Sequence, residues 1–288
     1  MIKIKAIILN IRDWREADRI LTLYTEKQGK IEALVRGAKK IKSKLVGFCQ
    51  PFCILDLFLA RGRNFYHLTG GEIIRQFKEI AGSYQKIILV SRCLCFVDKL
   101  VKTEKPDSKI FLLTAKFLER IEKANLIQAE IISQAFLIKF LSFLGYRPEL
   151  KKCLVCGQEV CSQKDYSAVS DSDGHIRISR PRRYVGGASA IRMPYFNPKK
   201  GGVICSLCHQ SSDSAEIEIS KQILNLLENL LYQELSFWLT SLEVHSADGR
   251  TASRKAGLLL TGLKPTKIRP EEVQKVSFLI EKFLEWRM

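Results

Sequence analysis

Two Cys-x-x-Cys pairs, Cys153-Leu154-Val155-Cys156 and Cys205-Ser206-Leu207-Cys208, carry the most specific chemistry in this chain. Four thiolates on two short turns match the tetrahedral sphere of Zn²⁺, each turn supplying half of it. A sphere closed by four sulfurs has no open position for water or substrate, so the metal expected here is structural Zn²⁺. The alternatives are free cysteines that fall together by chance, or two disulfides. The stretch 157–204 between the pairs exceeds the roughly 15–20 residues of a compact zinc knuckle and must form loops or hairpins of its own. Cys161 and His209 lie beside the pairs. Either could serve as a ligand, but neither fits the paired spacing as well.

A second chemical signal is cationic. Arg36, Lys39, Lys40, Lys42 and Lys44 follow one another with no acid between Glu32 and Asp56. Residues 1–80 hold 16 Lys and Arg against 8 Asp and Glu, and the whole chain carries a net charge of +17. Such an excess selects polyanions as partners, nucleic acid first and acidic membrane surfaces second. A basic loop of this kind would track a phosphate backbone, and Phe65 or Tyr66 nearby could stack bases. Alternation along a strand leaves at most one of these two rings free. Arg177, Arg180, Arg182, Arg183, Arg192, Lys199 and Lys200 form a rival surface around the cysteine pairs.

Enzyme signatures are missing. The chain has no Gly-x-x-x-x-Gly-Lys-Ser/Thr loop, no His-Glu-x-x-His site and no Gly-x-Ser-x-Gly elbow. Its four histidines, His67, His175, His209 and His245, sit in unrelated contexts. A protein without catalysis of its own is expected. It has no run of 18 apolar residues and no signal-peptide pattern at Met1–Lys5, so a cytoplasmic protein with no membrane span is expected. In a reducing compartment nine cysteines argue for thiols and metal ligands. Cys49, Cys53, Cys93 and Cys95, in apolar surroundings, read as small core residues.

These groups must be positioned by two kinds of element. Short β-rich runs occupy residues 1–80: Ile4–Ile8, Ile20–Tyr24, Ile31–Val35, Phe52–Leu59 and Phe65–Thr69. Five strands in that length suit a small closed barrel of the oligonucleotide-binding (OB) type, with an open sheet as alternative. Helical periodicity starts near Ser83, restarts after Pro106-Asp107-Ser108, and runs from Gln128 to a stop at Gly145 and Pro148. It resumes from Glu216 to Trp238 and from Pro270 to Trp286, while Thr240–Arg269 has too little periodicity to place. The expected architecture is α+β: a barrel over 1–80, a helical domain over 81–150 and 212–288, and an inserted four-cysteine zinc module over 151–211.

The blocks Glu16-Ala17-Asp18-Arg19-Ile20, Leu23-Tyr24-Thr25, Gly29-Lys30, Arg36-Gly37-Ala38-Lys39-Lys40, Lys42-Ser43 and Gln50-Pro51-Phe52 occur in that order. This run resembles the RecO family of bacterial DNA repair and recombination mediators. The resemblance covers residues 1–80 closely and the remainder by order of elements alone. It implies binding of single- and double-stranded DNA and annealing of complementary strands. It also implies cooperation with a RecR-like protein, and contact with the acidic tail of single-stranded DNA-binding protein so that recombinase can load. A nucleoid-associated location goes with it. On that resemblance the DNA contacts are Arg36, Lys39, Lys40, Lys42 and Lys44. Without it, an RNA-binding zinc-ribbon protein fits charge and cysteines equally, and a zinc hydrolase or nuclease fits less well.

Overall fold

The structure is a computed structural model that describes residues 1–40, 42–160, 169–170, 176–177, 194–209, 214–235 and 268–287. The chain divides into two compact units, Met1–Arg147 with Asn229–Met288, and Pro148–Glu228.

The first unit opens with a closed five-stranded barrel. Its strands are β1 (Ile2–Trp14), β2 (Asp18–Thr25), β3 (Gly29–Val35), β4 (Cys53–Arg61) and β5 (Tyr66–Gln76), hydrogen-bonded in the order β1-β2-β3-β5-β4 and back to β1. All pairs are antiparallel except β3–β5, which meet only at Ala33–Tyr66 and Leu34–His67. Alternate side chains fill the lumen: Ile4, Ala6 and Ile8, then Leu21 and Leu23, Ile31, Ala33 and Val35, and Cys53, Leu55, Leu57 and Leu59. This is the period-two pattern of a strand with one face inward. The outer-face residues Ile7, Ile20 and Tyr24 are buried as well, and β1 packs on the second helix of the chain.

The barrel and the helices are joined by backbone contact at the β2–β3 turn. Lys30 forms a parallel bridge with Thr103, and Glu104 N–H donates to Lys30 C=O. Lys30 Nζ reaches the Asp98 carbonyl, and Tyr24 Oη donates to Asp107 C=O at 3.2 Å. Gly29 sits at φ +68°, where a Cβ would stand 2.4 Å from Lys105 O. Both the backbone conformation and the missing side chain are required here. Gly29→Ala is expected to destabilise the unit by about 2 kcal/mol or more. Thermal melting checks this, and an unchanged midpoint would refute it.

Among the described residues the helices are α1 (Lys78–Ala81), α2 (Tyr84–Leu100), α3 (Ser108–Lys123), α4 (Leu126–Phe143), α5 (Lys221–Tyr232) and α6 (Pro270–Glu285). Asp107 caps α3 by accepting from Lys109 N–H and Ile110 N–H. Asn125 and Gln128 close a capping box on α4. Gly145, at φ +91°, ends the α4 segment. α4 is central, packing against α2, α3 and α6. By length and composition α4 is apolar enough to cross a membrane, yet 61% of it is buried inside the protein, as suits a core helix. Gln134, inside this bundle, donates to Ser277 Oγ on α6 at 2.9 Å.

Two local expectations are corrected. The helix expected from Glu216 starts at Lys221 because Ile217–Glu218 is drawn into a sheet, and Ser220 Oγ accepts from Ile223 N–H. α5 ends at Tyr232, and Trp238 lies outside the described residues. Cys49, Cys53 and Cys93 are buried, but Cys95 is exposed. On α2 the inward positions are Cys93, Leu94 and Val97, which turns Cys95 to the opposite side.

Candidate metal centre and nucleic-acid face

In the second unit the two cysteine pairs are brought together by main-chain pairing. The first knuckle is closed by Cys153 N–H to Gln158 C=O and Val160 N–H to Lys151 C=O. It lies beside β9 (Gly202–Ile204), with Glu149 bridged in parallel to Gly202 and Leu154 N–H donating to Val203 C=O. β9 pairs with β8 (Tyr195–Asn197), which pairs with β10 (Ile217–Glu218). A two-residue pair, β6 (Val169–Ser170) and β7 (Ile176–Arg177), also forms between the knuckles. Because β9 runs directly into Cys205, its contact with the first knuckle sets the two turns face to face. Gly202 makes that contact possible: a Cβ there would stand 2.6 Å from Glu149 O.

The sulfurs of Cys153, Cys156, Cys205 and Cys208 all lie within 4.8 Å of one another. Cys156 Sγ and Cys205 Sγ are 3.8 Å apart, far beyond a disulfide length of about 2.05 Å. A tetrahedron with Zn–S bonds of about 2.3 Å has edges of about 3.8 Å, so the spacing fits a four-sulfur metal site. Acidity points the same way. Burial works against Cys153 ionisation, but nearby backbone N–H groups of Cys156, Cys205 and Val155 outweigh it and bring the thiol down to about 6. The hydrogen bonding of neighbouring sulfurs, Cys205 first, pushes Cys208 up to about 12. Four thiols this close do not all ionise without a cation among them. By contrast, burial pushes Cys93 up to about 12 and raises Cys49 and Cys53, as expected of inert core thiols.

His209 is not part of the sulfur group. Its Nδ1 meets the Glu216 carboxylate, and its ring stacks on Tyr195 at 3.7 Å. The four cysteines could bind a metal ion by themselves. Cys161 lies outside the described residues.

The basic segment leaves β3 at Arg36 and continues as successive turns. Lys40 N–H donates to Gly37 C=O and Ser43 N–H to Lys40 C=O, and a 3-10 turn follows at Val46–Phe48. Its start is fastened to the β1–β2 hairpin: Gly37 N–H donates to Asp18 Oδ1 at 2.8 Å and Lys39 N–H to Ala17 C=O at 2.9 Å. Arg36, Lys39, Lys40, Lys42 and Lys44 are exposed. Lys39 also pairs through its Nζ with Asp13 Oδ2 at 2.9 Å. Lys39, with help from Arg19, holds the Asp13 carboxylate below the usual range. All five sequence-predicted cations are therefore exposed, and Lys39 is in addition engaged in a surface ion pair with Asp13.

Of the two expected stacking residues, one packs into the barrel and one does not, in keeping with at most one free ring. Tyr66 is partly buried against the barrel core. Phe65 sits in the β4–β5 turn and meets Trp14, at the end of β1, edge-to-face at 5.8 Å. Arg12 lies over the same indole at 5.6 Å and pairs with Glu32 at 2.9 Å. So the β1–β2 loop, the β4–β5 loop and the start of the basic segment converge at one end of the barrel. In OB folds the β2–β3 face and these two loops bind oligonucleotides. Sequence reasoning does not single out Trp14, since a lone aromatic between charges has no periodic signal. Of the rival basic surface, Arg180, Arg182, Arg183 and Arg192 lie outside the described residues.

Comparison with known proteins now bears on this arrangement. Residues 1–77 match the family model described as recombination protein O N terminal, and residues 81–177 match recombination protein O C terminal. The chain belongs to the RecO family. It is 26% identical over 230 residues to the DNA repair protein RecO of Caldanaerobacter subterraneus subsp. tengcongensis, covering 80% of each chain. It is 35% identical over 167 residues to that of Desulforamulus reducens, covering 58% of this chain and 64% of the relative. It is 28% identical over 247 residues to that of Clostridium novyi, covering 84% and 92%. Membership places the chain among DNA repair and recombination proteins, and the five-stranded barrel is the RecO family's N-terminal OB fold.

Proposed function

We propose that this chain is a non-catalytic mediator that binds DNA at the loop end of its barrel and anneals complementary strands. What carries the reading is one exposed run of cations, Arg36, Lys39, Lys40, Lys42 and Lys44, on a barrel of the RecO family. Two strands repel each other as polyanions, and a surface that replaces their counterions lowers that repulsion. Binding alone therefore suffices, with no turnover. Lys39, exposed and paired with Asp13, belongs to the same cationic surface. In this reading the regions 1–80, 81–150 with 212–288, and 151–211 act as DNA-binding barrel, helical body and structural module. A single Zn²⁺ held by Cys153, Cys156, Cys205 and Cys208 fixes the two knuckles of that module and takes no part in a reaction.

The same cations would attract an acidic tail, such as that of single-stranded DNA-binding protein, so DNA and this partner would compete for one face. A RecR-like protein would complete the assembly that loads recombinase, in the cytoplasm and on the nucleoid. The decisive measurement is annealing of complementary strands coated with single-stranded DNA-binding protein. Purified protein should accelerate annealing without nucleotide, and it should neither hydrolyse ATP nor cut DNA in Mg²⁺ or Mn²⁺. Tighter binding to structured RNA than to single-stranded DNA, with no annealing, would move the reading to an RNA-binding zinc-ribbon protein.

A further inference from the structure

At the loop end of the barrel one aromatic is held out of the core by specific contacts. Trp14 is half-buried, at the last position of β1, where it pairs with Asp18. Arg15 follows in the left-handed region at φ +53°, an unfavourable conformation for a residue with a Cβ. Backbone outliers of this kind collect at functional sites. Phe65 braces the indole from the facing loop. That loop is a tight turn, with Gly62 N–H donating to Phe65 C=O at 3.0 Å. A Cβ on Gly62 would stand 2.4 Å from Phe65 O, so the turn that presents Phe65 tolerates no side chain there. Arg12 is held by Glu32 while lying over the indole. Asp13, next in sequence, carries Lys39 and Arg19, which ties the aromatic pair to the start of the basic segment.

We propose that Trp14, braced by Phe65, is a stacking platform for an unpaired DNA base, and that it makes this end of the barrel prefer single strands over duplex. The proposal rests on the DNA-binding reading above and adds to it a specificity-determining pair. Phosphate contacts bind single and double strands alike, because they carry no base information. A π-face distinguishes them. In a duplex each base is already stacked on its neighbours and paired, whereas a single-strand base can leave its neighbours for the indole. Stacking of this sort tolerates any base sequence.

The test compares three probes on the full chain: oligodeoxythymidylate, an abasic deoxyribose-phosphate strand of the same length, and a hairpin duplex. The wild-type protein is expected to bind oligodeoxythymidylate about tenfold more tightly than the abasic strand. Trp14→Ala should abolish that difference, leave duplex affinity within about twofold, and keep the salt slope, because no phosphate contact is lost. Trp14→Phe should restore most of the preference. Phe65→Ala should reduce it and serves where Trp14→Ala does not fold, as judged by thermal melting. Equal wild-type affinity for the abasic and thymidylate strands would overturn the proposal, as would an equal loss of single-strand and duplex binding in Trp14→Ala. If a Lys40/Lys42/Lys44 variant binds DNA normally, the barrel site itself is wrong. If that variant is weak while Trp14→Ala still discriminates bases, only the platform is wrong.

Discussion

Cys153→Ser is expected to strip the metal from the protein and to unfold the Pro148–Glu228 unit, while the barrel and its helices keep their own melting transition. The reason is how little else holds the knuckles. Among the described residues the core around the sulfurs consists of Cys153, Ile204 and Cys205, with Val160, Tyr195 and Cys208 packed against it. Half of that cluster is ligand. Structural zinc in small modules contributes about 10–16 kcal/mol of apparent folding free energy near neutral pH, far more than three or four aliphatic contacts provide. The first unit has a lumen core of its own. Elemental analysis should find one zinc per wild-type chain and none in the variant. A chelator should reproduce the effect on wild type. Acidification should release the metal too, since the thiolates that hold it must be deprotonated. Stoichiometric zinc in Cys153→Ser, or cooperative folding of the second unit after complete chelation, would show that the four sulfurs are not the support argued here.

What the sequence makes legible follows from range. Barrel strands announce themselves through alternation over five to eight residues, and the lumen residues Ile31, Ala33 and Val35 sit where that alternation puts them. The cysteine pairs are legible because each knuckle is local and only the long gap is not. The misses are contacts between distant segments. Lys39 looks like its neighbours in sequence, and only the fold brings Asp13, on β1, to pair with it. Trp14 gains meaning only from Phe65, which reaches it from another loop across the barrel end. The Glu216 region carries helical periodicity, yet a strand partner at Tyr195–Phe196 wins it for a sheet. Tertiary pairing overrides local preference there, as it commonly does for short segments.

The pairing of Lys39 changes which substitutions test the DNA surface. Lys40, Lys42 and Lys44 are exposed, and none of them shares an ion pair with the described residues. Lys39→Ala would also free the Asp13 carboxylate from its surface pair, so its effect would mix a lost cation with an unmasked anion. The triple variant Lys40/Lys42/Lys44→Ala is therefore the clean experiment. Each lost phosphate contact reduces the slope of log affinity against log salt by about 0.7 for a single strand and about 0.9 for duplex. Three contacts give a slope shallower by about two. Between 50 and 200 mM salt the wild type should thus lose about 20-fold more affinity than the variant. At low salt the variant should bind more weakly for every DNA sequence alike, because phosphates do not report the bases. Its melting temperature should stay within about a degree or two of wild type, since exposed loop lysines contribute little to stability. A weak variant with an unchanged slope would mean that the substitutions act through structure and not through phosphate. A variant with wild-type affinity and slope would remove Lys40, Lys42 and Lys44 from the DNA site.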